Sequence, residues 1–311
     1  MVLKLITGTT AYAVFSGDVD SKTISHAYML HFQDADNMRS ALKIFALKFF
    51  GVSEYDPVGR RILNESYPDL NVFPEEGKKF NAEGAAALLA DSALKPLEGD
   101  KKLFVISGFN DCTPLIQNKL LKTLEEPLEG VYFLLGTTSL APVLDTVKSR
   151  VKTLTIPPFS ESEILNALER KGSNPLNKEA AASCGGIFGV AESMVSGGWF
   201  SKVSEAAKEI CTTNEIGKVG EVAIKYGDTK YKTELLSQIS LNYHRALCER
   251  VEGRNFGEVA ARFETPALIY AAESADRACR DLKFNAFFQG LLYDLMLRVI
   301  EENEKWLKLR G

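Results

Sequence analysis

No glycine lies between Gly17 and Gly51. A phosphate-binding loop in that interval would need glycines for close backbone approach, and it has none. Cysteine is sparse: Cys112, Cys184, Cys211, Cys248 and Cys279 are the five in the chain, none within four residues of another. That spacing excludes a CxxC zinc pair. The odd count and wide scatter fit reduced, mostly buried thiols in a cytoplasm better than a disulfide scaffold. The three histidines, His26, His31 and His244, form no metal constellation with them. Positive charge is not in excess either. A formal net charge of -4 and a pI near 5.6 give no global attraction to nucleic acid. Any DNA contact is therefore local or supplied by partners. No apolar run approaches the length of a membrane span. The opening Met-Val-Leu-Lys-Leu-Ile-Thr-Gly lacks the apolar core and cleavage site of a signal peptide. The expected location is cytoplasmic, with no membrane association.

What is present reads as a globular protein. Hydrophobic residues make up 45% and charged residues 25% of 311 positions, enough for two or three domains. In the first half, short apolar runs alternate with helical patterns. The runs 27–30, 70–73, 103–106 and 131–135 are candidate strands, with a possible edge strand at 151–156; 37–50, 82–94 and 114–125 are candidate helices. Apolar strands without polar alternation, separated by helices, predict a parallel sheet covered on both faces. Pro157-Pro158 breaks the pattern. Short helices are expected at 161–171 and 178–184, followed by a glycine turn at Gly185-Gly186 and a second linker at Gly197-Gly198. From Ser201 onward no strand run is evident. Apolar residues recur at helical spacing, as in Leu235, Ile239, Tyr243 and Leu247. They recur again in Phe284, Phe287, Phe288, Leu291, Leu292, Leu295 and Val299.

The most informative stretch is Asn118-Lys-Leu-Leu-Lys-Thr-Leu-Glu-Glu-Pro127, followed by Val131-Tyr-Phe-Leu-Leu-Gly-Thr-Thr138 and Lys148-Ser-Arg150. As a bare pattern it is an amphipathic helix with Leu115, Leu120, Leu121 and Leu124 on its apolar face, ended by Pro127, then a buried strand. The series resembles the core of the clamp-loader branch of the AAA+ superfamily, whose helix reads LLKTLEEPP; this chain departs at Leu128. Ser25-His-Ala-Tyr28, Tyr67-Pro-Asp-Leu70 and the approach Leu97-Glu-Gly-Asp-Lys-Lys102 resemble the same family.

The resemblance also exposes what is missing. The family's phosphate loop follows the His-Ala-Tyr strand; here the chain reads His31-Phe-Gln-Asp-Ala-Asp-Asn-Met-Arg-Ser40, with Asp34 and Asp36 where phosphates would sit. The acidic pair that holds magnesium after the next buried strand is replaced by Ser107-Gly-Phe-Asn-Asp-Cys112, whose one carboxylate, Asp111, comes too late. Thr137 and Thr138 stand where relatives place a γ-phosphate sensor; without nucleotide they are expected to turn or cap the chain. Val190 before Ala191 leaves no lid arginine, and residues 51–64 contain no cysteine for the zinc module of many relatives.

What the resemblance implies is a scaffold kept and a nucleotide site lost. The expected fold is α/β: an AAA+-like parallel-sheet core over residues 1–157, a small helical lid over 158–198 and an all-α collar over 199–311. The implied function is that of a non-hydrolysing structural subunit of the DNA polymerase III clamp loader, bracing a ring that loads a sliding clamp onto primed DNA. No catalytic activity is expected from the isolated chain, and no cofactor or metal. Arg150 is expected to serve as an arginine finger in the ATP site of a neighbouring subunit, supported by Ser149. A guanidinium there would stabilise charge on the transferring phosphoryl group. Val151 stands in place of the family's cysteine. Implied partners are the ATPase subunits, a delta-type clamp-opening subunit, the sliding clamp and, through the assembled complex, primed DNA, in a hetero-oligomer of five subunits. Two alternatives stay open: an active AAA+ ATPase with an atypical phosphate loop, and a non-replicative scaffold that reuses the fold.

Overall fold

Among the described residues, five strands separated by helices make up the first half of the chain, and a run of helices follows them. The computed structural model describes residues 2–253, 257–282 and 286–310. It divides into two compact units, Met1–Ser193 and Met194–Gly311.

The first unit opens with two helices, α1 (Val2–Thr7) and α2 (Thr10–Asp20), which the sequence reading left unassigned. Thr9 caps α2 by accepting the Tyr12 N–H at 3.2 Å, and α2 buries Ala11 and Phe15. Then come β1 (Ala27–Phe32), α3 (Ala35–Phe50), α4 (Pro57–Leu63), β2 (Leu70–Phe73), α5 (Ala82–Ser92), β3 (Lys102–Ile106), α6 (Pro114–Glu125) and β4 (Val131–Thr137). The unit continues with α7 (Asp145–Lys148), β5 (Lys152–Ile156), α8 (Glu161–Lys171), α9 (Asn177–Ser183) and α10 (Phe188–Ser196). The five strands form one sheet in the order β2-β3-β4-β1-β5, every neighbouring pair parallel. β3 is buried at every position, as its unbroken Lys-Leu-Phe-Val-Ile run requires of a strand covered on both faces. This is the parallel-sheet α/β core that the sequence pattern predicts.

Several motif residues turn out to hold this scaffold. Tyr28, from His-Ala-Tyr, donates its hydroxyl to Asp18 at 2.7 Å and accepts the Ser25 N–H at 3.0 Å, tying α2 to β1. Burial pushes the Tyr28 phenol well above its ordinary range. Lys152 reaches the same carboxylate at 2.5 Å, and that bond holds Asp18 below the usual carboxylate range. Asp69, from Tyr-Pro-Asp-Leu, is fully buried and accepts the N–H groups of Leu97, Glu98 and Gly99 at 2.6, 2.9 and 2.8 Å. A buried carboxylate is tolerable when backbone donors surround it in this way. Asp69→Asn turns one acceptor oxygen into an NH2 group that must face an N–H. Urea unfolding is expected to show a loss of about 2 kcal/mol.

After β5, Pro157-Pro158 ends the sheet. Ser160 and Glu163 form a reciprocal capping box at the start of α8, and the bonds from Ser160 hold the Glu163 carboxyl below its ordinary value. Gly185 and Gly186 both take positive φ, 62° and 78°. A side chain at Gly186 would put its Cβ 2.5 Å from the Phe159 carbonyl oxygen, so the turn admits only glycine.

Among its described residues the elements of the second unit are helices: α11 (Phe200–Thr212), α12 (Ile216–Gly227), α13 (Lys232–Glu252), α14 (Glu258–Arg262), α15 (Thr265–Asp281) and α16 (Phe288–Arg310). Leu235, Ile239 and Tyr243 of α13 share its core with Phe288, Leu292, Leu295 and Val299, as their helical spacing predicts. Phe287, expected on the same face, is instead 74% exposed. It precedes α16, so the helical phase does not fix its direction. Phe284 lies outside the described residues.

Among the described residues no helix is long and apolar enough to cross a membrane, and no group of three or more His, Cys, Asp or Glu could hold a metal ion. Cys112, Cys184 and Cys211 are buried and Cys248 is exposed. Burial pushes the Cys112 and Cys211 thiols up to about 12. Since the thiolate is the reactive form, maleimide labelling of the native protein is expected to modify Cys248 first and to reach Cys112 and Cys211 only after unfolding.

Candidate functional site

In an open parallel sheet, ligands bind beyond the carboxyl ends of the strands, where strand order reverses. Here β1 sits between β4 and β5, and the connection from β1 to α3 lies at that edge. Phosphate loops occupy this position as G-x-x-x-x-G-K-[ST]. Laid over that pattern, the chain has Phe32 and Asn37 at the glycines, Met38 at the lysine and Arg39 at the hydroxyl residue. Each is committed elsewhere. Met38 is 2% exposed. Arg39 donates to Glu65 at 2.7 Å and to the Pro74 carbonyl at 2.7 Å. Burial pushes the Glu65 carboxyl up, but Arg39 and Lys43 outweigh that and hold it below its ordinary value.

Asp34 lies in this connection and is 1% exposed. Its oxygens accept the Asn37 N–H at 3.1 Å, the Asn37 Nδ2 at 2.9 Å and the Gly189 N–H at 2.8 Å. It is thus the N-cap of α3, and α3 begins two residues earlier than the sequence pattern suggested. Asp36 falls inside the first helical turn and not in a loop. Gly189 belongs to α10, 155 positions further along the chain. A Cβ there would lie 2.5 Å from Asp34 Oδ1 and 2.9 Å from the Asp36 Cβ. The start of α10 therefore rests directly on the β1–α3 connection, with a carboxylate accepting the bond from its backbone. Glycine at 189 is what permits the approach.

The edge beside it is also closed by internal bonds. Thr137, at the end of β4, is fully buried, donates its hydroxyl to the Ser139 carbonyl at 2.6 Å and accepts the Ser139 N–H at 3.3 Å. The Thr138 N–H goes to Asn110 Oδ1 at 3.1 Å. Thr137 thus turns the chain at the end of β4. Asp111 ends a single 3-10 turn, Phe109–Asp111, is exposed, and accepts from Asn110 at 2.9 Å.

The second locus is the connection from β4 to β5. Ser149 is the C-cap of α7, exposed, and donates to the Thr146 carbonyl at 3.1 Å. The Arg150 side chain is 30% exposed and folds back on its own chain. It donates to Glu125 through both Nε, at 2.5 Å, and Nη2, and through Nη1 to the Thr146 carbonyl at 2.7 Å and Ser149 Oγ at 3.2 Å. Glu125 is the last residue of α6. A role for this first glutamate of the Glu-Glu-Pro run was not legible without the fold.

α6 itself corrects one detail of the sequence reading. Its buried residues are Ile116, Gln117, Leu120 and Leu124, whereas Leu115 is 66% exposed. Positions 116, 120 and 124 repeat at four residues, so they share a face; 115 falls off it. Gln117 is the position the apolar pattern missed, because polarity argued against burial.

Residues 8–160 match the protein family described as DNA polymerase III, delta subunit. The delta' subunit of DNA polymerase III from Bacillus subtilis is 28% identical over 163 residues, 50% of this chain and 50% of the relative. The gamma subunit from Buchnera aphidicola subsp. Schizaphis graminum is 39% identical over 109 residues, 34% of this chain and 30% of the relative. Among solved structures, a gamma subunit-related protein from Thermotoga maritima superposes with a TM-score of 0.45 and 14% identity, covering 92% of this chain and 98% of that one. The chain spans about half the length, or less, of these curated relatives. Through its N-terminal half it resembles the delta-prime subunit of the bacterial DNA polymerase III clamp loader.

Proposed function

We propose that the chain is a non-hydrolysing subunit of a DNA polymerase III clamp loader, of the delta-prime type. The observation that carries this reading is the match of residues 8–160 to the delta-subunit family, in a chain whose phosphate-loop position is filled by Asp34. A carboxylate already satisfied by three N–H donors repels a phosphate and leaves it nothing to bind. The absence of a loop lysine, of an acidic pair after β3 and of a lid arginine at Val190 supports the same conclusion.

In this reading residues 1–157 form the AAA+-like core, 158–198 a lid and 199–311 a collar that joins the chain to its neighbours in a ring of five. Arg150, with Ser149, serves the ATP site of an adjacent ATPase subunit. The other partners are a delta-type subunit, the sliding clamp and primed DNA, in the cytoplasm. The chain contributes rigidity and one guanidinium, and the neighbours contribute hydrolysis.

Reconstitution with the ATPase and delta-type subunits of the same organism, followed by size-exclusion chromatography with light scattering, tests it. Incorporation into one particle near five subunits is expected. Persistent elution as a monomer beside competent partners would sink the assignment and favour a non-replicative scaffold.

The similarity to gamma subunits favours one second reading, an ATPase with an atypical phosphate loop. Titration calorimetry of the isolated chain separates the two. No heat of binding is expected at millimolar ATP with magnesium, and micromolar affinity would install the second reading.

A further inference from the structure

We propose that a cavity at the C-terminal end of α3 binds a small organic cation, an ammonium or guanidinium carried on an apolar body. The inference is independent of the clamp-loader reading and of Arg150. Asp34 caps one end of α3 and the cavity lies at the other, 16 helical residues on, about 24 Å along the axis. Its volume is about 550 Å³. Small-molecule sites occupy roughly 300–1,000 Å³ and are walled mainly by apolar side chains, with a few polar groups that fix orientation. The walls here have that character. Ile44 and Leu47 of α3, both 5% exposed, line the cavity with Leu3 of α1 and Tyr12 of α2, and residues 51–55 complete it.

The charge of the walls selects a cation. α2 ends at Asp20, and α3 ends at Phe50 with Gly51 as its left-handed C-cap, φ 70°. Asp20 and Gly51 both line the cavity, so the negative ends of two helix dipoles meet there. Two carboxylates, Asp20 and Glu54, line it against one cation, Lys48. The Lys48 Nζ donates to both Asp20 oxygens, at 2.7 and 2.9 Å. The Asp20 side chain is nevertheless 67% exposed, and a carboxylate with two oxygens has room for a further donor. Tyr55, also in the lining, is exposed, and the Glu54 carboxylate beside it raises its phenol above the ordinary value. Its ring gives a cation a second favourable surface. An anion would face two carboxylates and two helix C-termini, and a neutral body would gain nothing from them. Lys48 thus holds the place that the ligand's charge would take. Its pair with Asp20 is too exposed to be strong, so an incoming ammonium with apolar contacts of its own can displace it.

The test uses the full chain and two fluorescent probes. Dansylcadaverine carries one primary ammonium on an aromatic body, and N-pentyl dansylamide keeps the body without the charge. Saturable binding with blue-shifted emission is expected for the first, and an affinity roughly five-fold lower for the second. Three variants locate the site, each with its fold checked by circular dichroism. Thr7→Trp, at an exposed lining residue that ends α1, is expected to fill the cavity and abolish saturable binding. Asp20→Asn is expected to weaken dansylcadaverine roughly five-fold and Lys48→Met to tighten it by a similar factor, with the neutral probe within about two-fold in both. Opposite shifts from the two halves of one ion pair are what competition for Asp20 produces, whereas damage to the walls would weaken binding in both. The two charge variants keep the test alive should Thr7→Trp fail to fold. Equal affinity for the two probes, saturable binding that survives Thr7→Trp, or a Lys48→Met chain that binds no tighter overturns the proposal. So does a lack of saturable binding at millimolar dansylcadaverine.

Discussion

Asp34→Ala is expected to lower the unfolding free energy of the first unit by about 3 kcal/mol, and to leave ATP binding undetectable. The substitution strips the N-cap from α3, which alone costs about 1 kcal/mol. It also leaves the Asn37 amide and the Gly189 N–H without their buried acceptor, and hydrogen bonds to charged groups are worth about 1.5–3 kcal/mol each. Relief from burying a carboxylate offsets part of that sum. Far-UV circular dichroism in urea is the suitable probe, because both tryptophans, Trp199 and Trp306, lie in the second unit and do not report on the first. Gly189→Ala should be destabilising through the same contact, since its Cβ would enter the space of Asp34 Oδ1 and the Asp36 Cβ. The two substitutions share one site, so their effects should not add. If Asp34→Ala proved neutral, the carboxylate could not be the element that secures α10 to the β1–α3 connection. If it conferred ATP binding, the carboxylate would have been the one obstacle in an otherwise competent site.

That contact also marks where sequence reading reached its limit. The strands were legible because each is a short apolar run between helical patterns, and β2 and α6 lie where those patterns placed them. The absence of glycine after β1 was equally plain, and it identified the unusual connection. What could not be read was the partner: Gly189 stands 155 residues from Asp34, and no local pattern links a loop carboxylate to the start of a distant helix. Gln117 and Glu125 were opaque for a related reason. Their partners are backbone groups or one side chain across a connection, and hydrophobic periodicity carries no record of such bonds. α1 and α2 went unassigned because α2 buries few residues among the described ones, Ala11 and Phe15, a weak apolar stripe. Arg150 was found by motif, but the motif suggested a projecting side chain. The structure shows the guanidinium resting on Glu125, a charge-assisted contact between two neighbouring side chains.

Arg150→Ala should leave the chain folded and assembled while lowering the ATPase of the complex. The stability cost is small: the bonds to the Thr146 carbonyl and Ser149 Oγ lie at the surface, and the Glu125 pair, with side chains 30% and 43% exposed, contributes about 0.2–1 kcal/mol. The same weakness matters for function. A contact of that size is readily exchanged for a phosphate group, so Glu125 can hold the guanidinium in the free chain without preventing its transfer to a neighbour. On the proposed reading Arg150 is an arginine finger, a group that accelerates phosphoryl transfer by roughly 10³–10⁵. Total hydrolysis by a ring with several ATP sites falls by the share of that one site, whereas clamp loading, which needs the sites to act together, should fall further. Arg150→Lys is expected to resemble alanine more than wild type, because an ammonium lacks the planar fork that spans two phosphoryl oxygens. The measurement is steady-state ATPase and clamp-loading rate on primed DNA, at saturating ATP, with incorporation of the variant confirmed by light scattering. Full activity in a correctly assembled ring would confine Arg150 to its bonds with Glu125, Thr146 and Ser149 and make it a brace for the α6–α7 corner, with no part in a neighbour's chemistry.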